Sequence, residues 1–168
     1  TIQSLVVIGT TVFAGTDNGI RYLDKDRVWQ PAPTGQPAKS RAFAVIGNTL
    51  YGGGIGGVSM TTDNGETWTK IGLDTQSITI LQAVGTILYA CDTDKFMYMS
   101  SDFGATWTKT GMPSVEVKSF IGNDKALFIA TKDSGVYQST DKGTTWTQMN
   151  SGLLNLNLNV LTLNGTTL

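Results

Sequence analysis

The chain has 168 residues, a formal net charge of −1, 40% hydrophobic residues, one cysteine and no histidine. Without histidine there is no His-based triad, no imidazole zinc ligand and no imidazole general base, and with Cys91 alone there is no internal disulfide. Near-neutral charge with three arginines leaves no basic footprint for nucleic acid, and no apolar run reaches membrane-spanning length.

Taken in order, the chain predicts four short strands in each of four repeats. They fall at 4–8, 12–16, 20–23 and 28–31, then at 42–46, 50–53, 58–61 and 67–71. The third set is 79–84, 87–91, 96–100 and 106–110, and the fourth is 117–121, 126–131, 136–139 and 145–149. Gly9-Thr10-Thr11, Gly47-Asn48-Thr49, Gly85-Thr86 and Gly122-Asn123-Asp124-Lys125 punctuate the first two strands of each set. Gly, Asn and Asp are the residues such hairpins demand. The first strands are nearly all apolar, as in Leu5-Val6-Val7-Ile8 and Phe43-Ala44-Val45-Ile46, so both of their faces are expected to be covered. The third and fourth strands alternate and carry Thr, Lys and Gln, as partly exposed outer strands do. No stretch carries a helix signal. Inner apolar and outer polar antiparallel strands, four to a repeat, predict an all-β fold, a β-propeller of four-stranded blades. The blades run over about 4–35, 42–75, 79–113 and 117–151. A fifth is expected to start at 157–168, where Gly165 repeats Gly9.

One eight-residue stretch sets the period. It reads Thr61-Thr62-Asp63-Asn64-Gly65-Glu66-Thr67-Trp68, then Ser100-Ser101-Asp102-Phe103-Gly104-Ala105-Thr106-Trp107, then Ser139-Thr140-Asp141-Lys142-Gly143-Thr144-Thr145-Trp146. A worn copy, Tyr22 to Trp29 with Asp24, has Asp26 for the Gly and Val28 for the Thr. The four tryptophans, Trp29, Trp68, Trp107 and Trp146, stand 39 residues apart, and a fixed period of this size marks a repeat architecture. A short Asp side chain bonds amides further along a turn. Gly65, Gly104 and Gly143 suit positions of positive φ, where a Cβ clashes. Asp63, Asp102 and Asp141 therefore read as turn caps. A calcium loop would need more carboxylates and a terminal Glu. In the worn copy, a strained residue or a different turn is expected at position 26.

The pattern [Ser/Thr]-x-Asp-x-Gly-x-Thr-Trp resembles the Asp-box of sialidase-type, or BNR, repeats. The strands Val12-Phe13-Ala14-Gly15-Thr16 and Leu127-Phe128-Ile129-Ala130-Thr131 are similar to those of BNR-repeat propellers. Relatives of that kind include photosystem II assembly-factor-like proteins, sortilin-type receptors and xyloglucanase-type hydrolases, so the resemblance implies a fold and not one function. It also implies an extracellular or periplasmic setting, and a ring of roughly six to eight blades, of which this chain is a segment.

In such a blade the Asp-box joins the third strand to the fourth. The opposite face carries the loops between second and third strands, and those leading to the next blade, and ligands of this fold bind there. The candidate residues on that face are Asp17, Asn18, Asp92, Asp94, Lys95, Lys132 and Asp133. Asp92 and Asp94 form its only close carboxylate pair and read as solvated loop residues, because a catalytic acid needs burial or charged neighbours to shift its pKa. The run Gly52 to Gly57 satisfies G-x-G-x-x-G but lies between strands with no helix after it, so the dinucleotide reading fails. A sialidase needs three arginines about the substrate carboxylate and a Tyr–Glu nucleophile pair. The arginines here, Arg21, Arg27 and Arg41, lie in or just after the first repeat, and Glu66 and Glu116 are the only glutamates. No catalytic residue, metal site or cofactor is predicted. The reading favoured is a non-catalytic binding or scaffold propeller that presents its loops to a protein or carbohydrate partner. The alternative is part of a glycoside hydrolase, with its catalytic residues on blades outside this chain. Ring closure is expected to need further blades or a second copy.

Overall fold

The structure is a computed structural model that describes residues 1–162. Sixteen strands form four antiparallel sheets, each meandering outward from its first strand. Sheet 1 holds β1 (Ile2–Ile8), β2 (Thr11–Thr16), β3 (Gly19–Leu23) and β4 (Trp29–Pro31). Sheet 2 holds β5 (Ser40–Ile46), β6 (Thr49–Gly54), β7 (Gly57–Thr61) and β8 (Thr69–Gly72). Sheet 3 holds β9 (Ile78–Val84), β10 (Ile87–Asp92), β11 (Met97–Ser100) and β12 (Thr108–Lys109). Sheet 4 holds β13 (Val117–Gly122), β14 (Leu127–Thr131), β15 (Val136–Ser139) and β16 (Thr147–Gln148). No helix occurs among the described residues, in keeping with the all-β propeller expected from the repeat.

The first strands stack side by side, β1 against β5, β5 against β9 and β9 against β13. The ladder of each breaks register near its first residues, at Ile2/Ser4, Ser40/Ala42, Cys91/Asp92 opposite β9, and Val117/Ser119. A bulge of this kind bends a strand and raises its twist, and here it recurs in the innermost ladder of every sheet. The outer strands are shorter than the sequence suggests: β12 and β16 have two residues each. Their expected first residues, Thr106 and Thr145, are bonded into the preceding turn instead of the ladder.

The core is divided among the junctions between sheets. Ile8, Phe13, Ile20 and Ala32 of sheet 1 meet Leu50 and Trp68 of sheet 2. Ala44, Tyr51 and Val58 meet Ile78, Leu81 and Leu88 at the next junction. Tyr89, Cys91 and Met97 meet Phe120, Leu127 and Ile129 at the last. The glycine run belongs to this packing. A Cβ on Gly52 would stand 2.8 Å from Ile20 and one on Gly53 2.8 Å from Ile78, so sheet 2 approaches both neighbours through the same strand. Residues 159–162 are not in a strand, and the remainder of the expected fifth repeat, with Gly165, lies outside the described residues.

Trp68 is buried and meets Phe13 edge-on, with ring centroids 6.4 Å apart. Trp68→Ala empties the centre of that junction, and its cost should be about 3–5 kcal/mol, the usual range for a buried aromatic. Urea denaturation followed by circular dichroism measures it.

Candidate functional site

Sheets stacked in this way have two rims. One carries the hairpins between third and fourth strands, and the other carries the loops that lead into third strands and across to the next sheet.

The hairpin rim repeats one bonding pattern. In the second sheet Thr61 Oγ1 donates to Asp63 Oδ1 at 2.7 Å and accepts from the Gly65 amide at 2.9 Å. The Thr67 amide donates to Asp63 Oδ1 at 2.9 Å, and the Thr67 hydroxyl donates to Oδ2 at 2.5 Å. Ser100, Asp102, Gly104 and Thr106 repeat this set within sheet 3, and Ser139, Asp141, Gly143 and Thr145 within sheet 4. Both turn residues take positive φ: Asn64 and Gly65, Phe103 and Gly104, Lys142 and Gly143. The glycine was legible in the sequence; the residue before it was not, because Phe and Lys rarely adopt that conformation. In the worn copy the strain falls on Arg27, at φ 61°, and not on position 26. Asp24 there accepts from the Asp26 and Val28 amides at 2.9 and 2.8 Å, and Gln30 Nε2, at 2.8 Å, supplies the bond that the missing threonine hydroxyl would make. The tryptophans differ in setting. Trp107 is half-buried and donates to the Ile71 carbonyl at 2.9 Å, Trp146 is half-buried, and Trp29 is exposed.

On the loop rim the predicted residues part company. Asp17 lies 2.9 Å from Lys39 Nζ, which holds its carboxyl well below the usual range. Asn18 is exposed, its amide bonded to Thr16 Oγ1. Asp92 is only 6% exposed: it accepts from the Phe96 amide at 2.9 Å and from the Tyr98 hydroxyl at 3.3 Å. It pins the turn into β11, and only Asp94 of the pair stands in solvent. Lys95 is exposed in the same turn, at φ 66°. Lys132 and Asp133 are exposed in the turn before β15. Lys132 Nζ reaches Glu116 at 3.8 Å, while Lys118 holds the same carboxylate at 2.6 Å. Lys118 first, and then the fields of Lys132 and Lys95, hold Glu116 below its ordinary range.

Of these residues Asp92, Lys95, Glu116 and Lys118 border a groove of about 310 Å³ between sheets 3 and 4. Met112, Val115 and Val117 are among its apolar lining, and Thr93, Lys95, Glu116 and Lys118 among its polar lining. Sequence reasoning missed Met112 and Glu116, which stand in the connection between sheets, and Lys118, the second residue of β13; none of the three belongs to a motif. Two wider grooves, of about 360 and 500 Å³, open on the hairpin rim. One is lined by Tyr89, Leu127 and Lys125, the other by Tyr22, Asp24 and Glu66. Cys91 borders the loop-rim groove, but burial pushes its thiol up to about 12, aided by Asp92, so it stays protonated. Among the described residues no three His, Cys, Asp or Glu side chains converge to hold a metal ion, and no helix is long and apolar enough to cross a membrane.

Residues 56–162 match the Sortilin-Vps10 family, described as sortilin, neurotensin receptor 3. The chain belongs to this family. No curated protein matches it. Among solved structures it is similar to an extracellular domain from B. thetaiotaomicron assigned to a hybrid two-component system, with 20% identity and a TM-score of 0.71, over 88% of this chain and 22% of that one. It is similar to an ancestral GH74 enzyme at 17% identity and a TM-score of 0.71, over 88% and 24% of the two chains. It is also similar to YCF48 bound to a D1 peptide, at 18% identity and a TM-score of 0.65, over 87% and 52%. The chain thus spans less than a quarter of the length of the first two, and these likenesses concern the fold.

Two predictions follow from the hairpin rim. Ser100 is buried, and its hydroxyl is the partner of the buried Gly104 amide at 2.7 Å. Ser100→Ala should cost about 1–3 kcal/mol, the penalty for an orphaned buried donor. In the same turn Phe103→Asn should gain up to about 1 kcal/mol, because Asn tolerates positive φ. Chemical denaturation of the two variants tests both signs. The second prediction concerns acid. The threonine hydroxyls first, with the amide bonds and the Ser or Thr before each Asp, hold Asp63, Asp102 and Asp141 at about 2 against an ordinary 3.8. The folded chain binds these protons less readily than the unfolded chain. Their stabilisation is therefore full above about pH 4 and is lost as pH falls through about 2. The urea midpoint should fall across that window, and fall less steeply once all three are Asn.

Proposed function

We propose that this chain is a binding or scaffold propeller that offers its loop rim to a protein or glycan partner, with the groove between sheets 3 and 4 as the contact. The observation that carries the proposal is the groove's make-up: an apolar lining of Met112, Val115 and Val117 beside Thr93, Lys95 and Lys118. A few convergent polar groups over apolar surface is how protein ligand sites are commonly built. Support comes from a receptor in the description of the family and from the fold shared with YCF48 bound to a D1 peptide. A hydrolytic role draws less support. Glycosidases need one carboxyl kept protonated near neutral pH, whereas Glu116 in this groove is held below its ordinary range by Lys118.

Peptide and glycan arrays probed with the labelled chain test the reading. A retained ligand should lose at least about tenfold in affinity, some 1.4 kcal/mol, with Thr93→Arg or Lys118→Glu. It should be indifferent to Lys125→Glu, a change on the hairpin rim. The reverse pattern moves the contact to the hairpin rim, and a ligand hydrolysed on the array replaces binding with catalysis.

A further inference from the structure

The groove between sheets 3 and 4 is bordered by two bulged strands. In β9, Ile78 stands opposite Asp92 and Ile80 opposite Cys91, so Thr79 between them has no partner in the ladder. In β13, Val117 stands opposite Thr131 and Ser119 opposite Ala130, so Lys118 is the extra residue there. A bulge re-aims a side chain out of the alternation of its strand and is frequent beside sites. Both of these side chains line the groove. Gln3 and Arg41 are the extra residues of β1 and β5. All four are polar or charged, in strands whose other residues are mostly apolar.

The charges in the groove are uneven. Lys118 Nζ lies 2.6 Å from one oxygen of Glu116, and Lys132 Nζ 3.8 Å from the other. Lys95 lines the same groove, and its field reaches the same carboxylate. Three ammonium groups thus attend one carboxylate, and among the described residues they form ion pairs with no other. Asp92 also borders the groove, but it is engaged with the Phe96 amide and the Tyr98 hydroxyl. Asp94 and Asp133 are exposed in the turns that carry Lys95 and Lys132, and neither lines the groove.

Glu116 is fixed at its backbone and loose at its side chain. Its carbonyl accepts from the Lys132 amide at 3.0 Å, which ties the connection to the turn before β15. The side chain is exposed, and exposed ion pairs stabilise little because water solvates both partners well. The carboxylate is therefore free to leave its lysines while the backbone stays in place.

We propose that this groove takes a peptide with an acidic side chain beside an aliphatic one, and that Glu116 stands in for the ligand's carboxylate until the peptide arrives. The inference rests on the loop-rim contact proposed above and names its ligand. The incoming carboxylate takes Lys118, Lys95 and Lys132 from Glu116, and the aliphatic neighbour lies on Met112, Val115 and Val117. Thr79 Oγ1 donates to the Cys91 carbonyl at 3.2 Å, which leaves its oxygen to accept from the peptide backbone. No aromatic ring lines the groove, and sugars commonly bind by stacking on such rings, so a peptide is favoured over an acidic glycan. The stand-in also sharpens the choice of partner. A neutral peptide that displaces Glu116 loses an ion pair and restores none, whereas an acidic one restores it, and specificity is this kind of difference.

Fluorescence anisotropy on the 168-residue chain, with a labelled and end-capped peptide of alternating Asp and Leu, tests the proposal. Glu116→Gln should tighten binding at least about threefold, and Lys118→Gln should weaken it at least about tenfold, with circular dichroism spectra unchanged. Asp133→Asn removes the same charge from the neighbouring turn and should alter binding less than about twofold. The matching peptide of Asn and Leu should bind at least about tenfold more weakly and be indifferent to Glu116→Gln. No binding of the Asp peptide at millimolar concentration, or equal binding of the Asn peptide, overturns the acidic ligand and leaves the loop-rim contact to the array result. Binding unmoved by Lys118→Gln lies off this groove and overturns both readings. Equal tightening by Glu116→Gln and Asp133→Asn makes the effect one of net charge and overturns the stand-in, as does weaker binding after Glu116→Gln. An oligogalacturonate that binds more tightly than the peptide and answers to the same variants overturns the peptide in favour of an acidic glycan.

Discussion

The face of one sheet covered by the next is the contact on which the rest of this molecule depends. A meander of four short strands has two faces and cannot bury either by itself, so each apolar face must be covered by another layer. Each junction here therefore serves as core for two sheets at once. This explains why bulky and very small residues alternate between neighbours. Where Ile20 and Ile78 press inward from either side, the strand between them presents Gly52 and Gly53. Stability of this kind is a sum over neighbours, as in other repeat proteins, so damage at one junction is felt first by the two sheets that share it.

The hairpin rim solves a different problem. The chain must reverse between the third and fourth strands of a sheet within a few residues, and it does so with two successive residues at positive φ. For Phe103 and Lys142 that conformation is unfavourable. What holds them is a carboxylate taking three hydrogen bonds at once, from an amide and from two hydroxyls. The same bonds draw the carboxyl pKa down, which ties the geometry of the turn to pH. The worn first copy shows how the device tolerates change. Gln30 supplies a donor from further along the chain, and the strained position moves to Arg27. The aspartate is common to all four turns, while the groups that donate to it vary.

The sequence makes some of this plain and conceals the rest. Strand number, order and hairpins are legible because Gly, Asn and Asp punctuate apolar runs at a constant period. The lengths of β12 and β16 are not, since the ladder loses Thr106 and Thr145 to side-chain bonds that a β-propensity cannot show. Asp92 reads like any polar turn residue beside Asp94. In the fold it is the buried last residue of β10, and Tyr98 on the following strand gives it a hydroxyl partner. Of the loop-rim candidates, Lys95 and Lys132 reach the surroundings of Glu116, whereas Asp17 is engaged far away with Lys39. Glu116 and Lys118 escape notice because single charged residues in a connection or at the start of a strand have no spacing to betray them.

Two faces of one kind of sheet differ here only in what lies over them. Phe120 and Leu5 hold the same place in the ladder, and Phe120 is buried against sheet 3 while no sheet among the described residues lies over Leu5. Burial of an apolar strand is thus a property of the junction and not of the strand, which is why the inner strands carry apolar residues on both faces throughout.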